Sequence, residues 1–267
     1  MKKVRTINDY EKRIIAFVDI LGFKNLVDRS TSDHYTYLKI HDALKRFREE
    51  KAEEEDTNEK AKVTTFSDSL VISYPVNYTG GLYQILLNLT VLQFELLQMG
   101  IFVRGGITIG ELRHVQDEIF GPAMNSAYKL ESETATFPRI IIEEATINQG
   151  IDSTYDKDKN EPLNDQNNYY RESKDIYKLL KKDSDNRYSL DYLRVADKVN
   201  SLDEYYHGLE RVYTNIKDAI TSNRSEEHVL EKYVWLANYY NAVVSTLEQE
   251  YGPNQLHIIE VDNWIDE

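Results

Sequence analysis

The chain has 267 residues and no cysteine, which excludes disulfides, thiolate metal sites and cysteine nucleophiles and makes a cytoplasmic address the simplest expectation. Positive charge is also scarce. Lysine and arginine total 32 against 46 aspartate and glutamate, a formal charge of −14, so a polyanionic duplex is repelled and nucleic acid is not an expected partner. Long apolar runs are missing as well. The opening MKKVRTINDYEKR lacks the apolar core of a secretory leader, and the most apolar stretch, Leu82 to Met99, is interrupted by Gln84, Asn88, Gln93 and Glu95. It predicts a buried helix, with no membrane partner. The histidines, at 34, 41, 114, 207, 228 and 257, show no close ligand pairing, which argues against a histidine zinc site. No internal repeat is present, and the length allows one large domain or a domain with an appendage.

What is present alternates between strand and helix patterns. Arg13 to Asp19, RIIAFVD, is a nearly continuous apolar run ending in an acid, as expected of a strand in the middle of a sheet. Gly22 breaks it. Apolar residues from Tyr37 to Phe47 recur at helical spacing, and Glu49 to Lys60 is a charge run read as a solvated helix end or loop. Lys62 to Ser73 predicts a hairpin with Asp68 at its turn. After the buried helix come a strand over Ile101 to Gly110, a helix over Ala123 to Glu131 and a short strand over Arg139 to Ile142. Asp152 to Lys174 is polar and without period, as in a surface loop. A strand over Tyr188 to Val195, helices over Leu202 to Ile220 and Ser225 to Tyr251 with Ser225 as N-cap, and a terminal strand over Leu256 to Val261 complete the pattern. The order predicts an α+β fold, one sheet with covering helices.

Two acids at turns are the strongest chemical signal. Asp19 and Asp68 each end or interrupt an apolar strand, where a carboxylate needs a cation or hydrogen bonds to offset its desolvation. Either both acids bond turn amides, or, side by side on adjacent strands, they hold divalent ions. Arg104, beside Gly105 and Gly106, suits an inter-strand ion pair better than a phosphate contact.

Four segments, in order, resemble the class III nucleotidyl cyclases: AFVDILGF at 16 to 23, TTFSDSLVIS at 64 to 73, FVRGGITIG at 102 to 110 and EIFGPAMNSAYKLE at 118 to 131. The resemblance covers roughly the first 145 residues and implies a ferredoxin-like sheet. It implies two Mg²⁺ or Mn²⁺ ions per site, held by Asp19, Asp68 and the carbonyl of Ile20. The amides of Leu21, Gly22 and Phe23 would cradle a triphosphate, Asn125 would orient the ribose, and Lys129 would steady the α-phosphate. Lys129 stands where the family usually has arginine and lacks the bidentate fork. Thr64 and Glu118 fall at the base-reading positions, and Thr64 replaces the lysine associated with adenine. The family builds each site across a homodimer.

A compact cyclase domain with these base readers looks most like the bacterial Pycsar cyclases. That likeness implies conversion of a pyrimidine nucleoside triphosphate, UTP before CTP, to its 3′,5′-cyclic monophosphate and pyrophosphate as an anti-phage signal. A purine cyclase and a catalytically inactive nucleotide-binding or regulatory module are the alternatives. Residues 1–197 are expected to form the catalytic domain and residues 198–267 a helical extension.

Overall fold

The computed structural model describes residues 9–57, 61–116, 118–154, 173–199, 201–251 and 256–261. The chain begins with β1 (Glu11–Ile20), α1 (Phe23–Ser30), α2 (His34–Thr57), the hairpin β2 (Lys62–Phe66) and β3 (Ser69–Pro75), and α3 (Gly81–Gln98). There follow β4 (Val103–Val115), β5 (Glu118–Phe120), α4 (Pro122–Lys129) with a π-helical turn (Leu130–Thr134), β6 (Ile140–Ile142) and α5 (Glu144–Thr154). Helical residues 173–178 (α6), β7 (Leu180–Lys182), β8 (Tyr188–Leu190), α7 (Leu202–Ser222) and α8 (Glu227–Tyr251) complete it.

The strands form one sheet in the order β2-β3-β1-β4-β6-β8-β7, with β5 paired to β4. The first four strands have βαββαβ connectivity in the order 2-3-1-4, which is the ferredoxin-like arrangement. The expected α+β class and the two C-terminal helices are both present. β1 is central, flanked antiparallel by β3 and β4, so both of its faces are covered and its sequence reads as an apolar run.

Strand alternation then sorts the side chains of β1 into two sets. Ile14, Ala16, Val18 and Ile20 enter the main core with α3 and the C-terminal helices, while Ile15 and Phe17 join a second cluster with Val71, Leu112, Ala123 and Ala127. Asp19 follows Ile15 and Phe17 on that second face, which α4 covers. The close approach of α4 depends on Gly106, where a Cβ would stand 2.5 Å from the Leu130 Cβ and 2.6 Å from the Ala127 carbonyl oxygen.

The charge run after Glu49 continues α2 to Thr57, the helix end that is one of its two readings. Several other expectations are corrected. β4 runs five residues past Gly110, to Val115. The strand expected over Tyr188 to Val195 stops at Leu190. Ser225 is not the cap of α8: the first amide bonds of that helix, from Val229 and Leu230, reach the carbonyl of Glu226. The segment Leu256 to Val261 is not a strand. The Asn241 side chain accepts from the Ile259 amide at 2.7 Å and donates to its carbonyl at 2.8 Å, taking both groups a sheet would need. Most of the expected polar loop lies outside the described residues, and its end belongs to α6.

Candidate active site

Asp19 stands opposite Ser69 of β3 on one side and Arg104 of β4 on the other. Asp68 occupies the tight β2–β3 turn, where Ser67 has φ 52°. The Ile20 amide donates to the Asp68 carbonyl at 3.2 Å, which ties the turn to the end of β1. Register and turn together bring the two acids to the same end of β1 and β3, near enough that the charge of Asp68 helps to raise the Asp19 carboxyl. Ser69 Oγ donates to Asp19 Oδ1 at 2.9 Å.

Two further charges complete the cluster. Glu131, in the π-turn after α4, is fully buried, and its Oε1 lies 2.5 Å from Arg104 Nε. That contact is close but not aligned as a hydrogen bond, so both atoms are left without a directed partner. Burial is the main cause that raises the Glu131 carboxyl to about 7; Arg104 opposes the rise, and Asp19 and Asp68 add to it. Asp19 is raised for the same reason first, with Asp68 adding to the rise and Ser69 and Arg104 opposing it. Asp19 and Glu131 thus both lean on Arg104 for positive charge. Among the described residues no three such side chains are grouped as a ready metal cage, so a divalent ion here would rest on the Asp19 and Asp68 carboxylates with backbone oxygen and substrate phosphate, a hard-oxygen set of the kind Mg²⁺ or Mn²⁺ takes.

The pH consequence has a definite sign. A carboxyl whose folded value lies above its unfolded one binds extra protons when folded, so the stability it lends is full below about 4.5 and lost as pH rises through about 7. In the metal-free protein the loss from Glu131 is expected to be on the order of 3 kcal/mol. Denaturant melts from pH 4.5 to 8 on wild type and Glu131→Gln measure it: the variant is expected to lose less stability across that range. Parallel curves would show that Glu131 does not titrate there.

The remaining expected residues are placed as follows. Leu21 donates its amide to the Phe102 carbonyl at 2.8 Å, so that amide is not available to a phosphate, a correction to the expected trio. Gly22 has φ 70° and precedes α1, whose first intrahelical bond comes from Leu26, leaving the Gly22 and Phe23 amides ahead of the helical ladder. Thr64 is buried, with its hydroxyl 2.9 Å from His114 Nε2 and 3.2 Å from the Gln116 carbonyl oxygen, to which it donates. Its single donor is therefore used inside the protein, and only acceptor capacity is left for a base. Glu118 is exposed on β5 and pairs with Arg113 at 3.0 Å.

Asn125 and Lys129 are exposed, one turn apart, on the side of α4 away from Ala123 and Ala127. Lys129 lies 3.8 Å from Glu133. Among the described residues, no hydrogen bond or ion pair joins either of them to Asp19 or Asp68. Close to the cluster, the Phe17 ring meets Tyr128 at 5.6 Å and Phe66 at 6.2 Å, both of which remain substantially exposed. Val115 and Phe120 are exposed on the adjoining hairpin.

No family model matches the chain, and no curated protein matches it. Among solved structures it is similar to the adenylyl cyclase CyaB from P. aeruginosa, at 17% identity over 54% of this chain and 82% of that one, with a TM-score of 0.40. A bacterial light-regulated adenylyl cyclase is 14% identical over 54% of this chain and 46% of that one, with a TM-score of 0.41. The guanylyl cyclase domain of a RhoGC fusion protein from the aquatic fungus Blastocladiella emersonii is 20% identical over 52% and 85%, with a TM-score of 0.38. Likeness at this level assigns no chemistry, which the side chains must carry.

Proposed function

We propose that the protein is a metal-dependent nucleotidyl cyclase that works as a homodimer and converts a pyrimidine nucleoside triphosphate, UTP before CTP, to its 3′,5′-cyclic monophosphate and pyrophosphate. The convergence of Asp19 and Asp68 beside the Gly22 turn is the observation that carries this reading. Asp19, Asp68 and the Ile20 carbonyl would hold two Mg²⁺ or Mn²⁺ ions. When bound, such ions lower the pKa of the attacking hydroxyl and neutralise phosphate charge.

The chain's own groups do the rest. The Gly22 and Phe23 amides receive the triphosphate, Ser69 and the Asp68 carbonyl keep the two carboxylates in register, and Arg104 holds Glu131 beside them. Asn125 of a second subunit orients the ribose so that its 3′-oxygen attacks the α-phosphorus in line, and pyrophosphate leaves. Lys129 steadies the charge that develops there. The exposure of Asn125 and Lys129, without any link among the described residues to Asp19 or Asp68 of their own chain, supports a shared site, and the uncovered Phe66 and Tyr128 supply apolar area for it. Pyrimidine preference and an anti-phage role rest on the resemblance of the sequence segments to Pycsar cyclases, with Thr64 standing in place of the lysine associated with adenine.

Incubation with all four triphosphates and Mn²⁺, followed by mass spectrometry, is expected to yield cyclic UMP first. Asp19→Asn and Asn125→Ala should each be inactive alone, and an equal mixture should regain roughly a quarter of wild-type turnover, since half of the dimers are mixed with one intact site of two. No cyclic product from any triphosphate would overturn the reading, and inactive mixtures would overturn the shared site.

A further inference from the structure

Behind the Gly22 turn lies a cleft of ≈ 180 Å³ between α1 and α2 on one side and α7 and α8 on the other. Its walls carry Arg29 of α1, Lys39 of α2 and Lys232 of α8, with Asp218 the single carboxylate among them. Among the described residues, none of these three cations forms an ion pair. Acids outnumber bases 46 to 32 in the chain, and several other arginines are matched, Arg113 to Asp9 and Glu118, Arg139 to Asp183 and Asp185, Arg194 to Glu250; what sets the cleft apart is that these three cations line one cavity.

Local structure positions Lys39 in the cleft. Lys39 lies with its ammonium 4.6 Å from the centre of the Tyr35 ring. At Gly100, φ 74°, a Cβ would stand 2.8 Å from Lys39 Nζ and 3.0 Å from Asn215 Oδ1. The positive φ is what calls for glycine here, and its bare surface lets the ammonium lie close. Asn215 is itself fixed, donating to the carbonyls of Leu97 and Gln98 at 2.9 Å. Lys232 is half-buried; burial lowers its ammonium pKa, and the nearby Arg104 lowers it further. Like charges gathered at one cleft repel, and an anion with several oxygens relieves all three at once.

We infer that this cleft binds a phosphate-bearing small molecule, gripped by Arg29, Lys39 and Lys232 against the back of the Gly22 turn. The inference does not depend on the cyclase reading. Under that reading the anion is either the distal phosphates of the nucleotide or a free polyphosphate in a site of its own. The C-terminal helices, which supply Lys232 and Asn215, then sense or hold phosphate in addition to filling the core.

Isothermal titration of sodium pyrophosphate into full-length protein in EDTA tests this without turnover. Saturable binding to wild type is expected, weakened at least about tenfold by Arg29→Gln or by Lys232→Gln and tightened by Asp218→Asn. Melting curves should be unchanged, because these side chains contribute little to the core. Pyrophosphate binding retained in Asp19→Asn separates this site from the carboxylate cluster. Repeating the titration with saturating non-hydrolysable triphosphate identifies the source: abolished heat assigns the cleft to the nucleotide's own phosphates, and persistent heat to a separate polyphosphate. No binding to wild type, or equal binding in wild type and both glutamine variants, would overturn the inference.

Discussion

Asp19→Asn is expected to reduce turnover by a factor on the order of 10³ or more, the scale of losing a principal source of charge stabilisation in the transition state, and at the same time to raise the melting temperature of the metal-free protein. The two effects have one cause. In the absence of a cation, Asp19 is desolvated beside Asp68, and its carboxyl is pushed up. A group with a raised folded value costs stability once the pH exceeds it, so a neutral side chain of the same shape relieves the folded state at pH 8. It also forfeits the negative charge that would draw Mn²⁺. Ser69 Oγ, 2.9 Å from Asp19 Oδ1, retains an acceptor in the asparagine, so the turn should stay in place. Thermal melts with and without MnCl₂ check the pair of effects. Wild type should gain stability from the ion and the variant should gain almost none. A variant that still turned over, or still responded to Mn²⁺ as wild type does, would place the metal centre elsewhere.

How much of this site is readable in the sequence follows from the range of the forces involved. A buried strand ending in an acid and a hairpin with an acid at its turn are local patterns, and both stand out. Their convergence follows from strand register, since Asp19 pairs with Ser69 and Asp68 is the next residue back. Glu131 does not stand out. It lies at the end of a helical pattern, and only the π-turn, which swings it under β4 to meet Arg104, makes it part of the cluster. The internal partners of Thr64 are hidden for a similar reason. The apolar pattern of β4 ends at Gly110, but the extra residues to Val115 carry His114 across to Thr64 and Ser73, and Arg13 donates to Ser73 in turn. That polar chain links β1, β2, β3 and β4 through contacts 41 to 60 residues apart, beyond any local period. Strands of three residues such as β7 are too short for alternation to register, and α5 carries a weak apolar stripe. The terminal segment fails the opposite way: LHIIEV has the composition of a strand, but one asparagine of α8 has taken the backbone groups at Ile259.

Removal of residues 198–267 is expected to abolish cooperative folding rather than release a smaller stable domain. α3 is buried on nearly every side, and α7 is one of the elements that buries it: Phe94 meets Tyr205 at 5.9 Å, and Gly208 packs so tightly on Phe94 that a Cβ there would lie 2.8 Å from the ring. α8 reaches the other end of the sheet. Tyr239 accepts from the Leu193 amide at 3.1 Å and donates to Asp191 at 2.6 Å, Trp235 stacks on Phe137 at 5.1 Å, and Tyr233 meets Phe102 at 4.9 Å. The fully buried Arg139, held by Asp183 and Asp185, lies 5.7 Å from the Trp235 ring, so truncation would also open a buried ion cluster to water. Leu209, Val212, Ile216, Ile220, Leu236, Val244 and Leu247 belong to the same continuous core as β1 and β3. At about 2 kcal/mol for each large apolar side chain removed, the loss is about 14 kcal/mol, the upper end of what a domain of ordinary stability has. Circular dichroism melts of residues 1–197 should therefore show no sharp transition, and the fragment should aggregate on expression. A fragment that melted cooperatively near the temperature of the full chain would show instead that the first 197 residues form a self-sufficient unit, and that the helices carrying Lys232 are an addition to it.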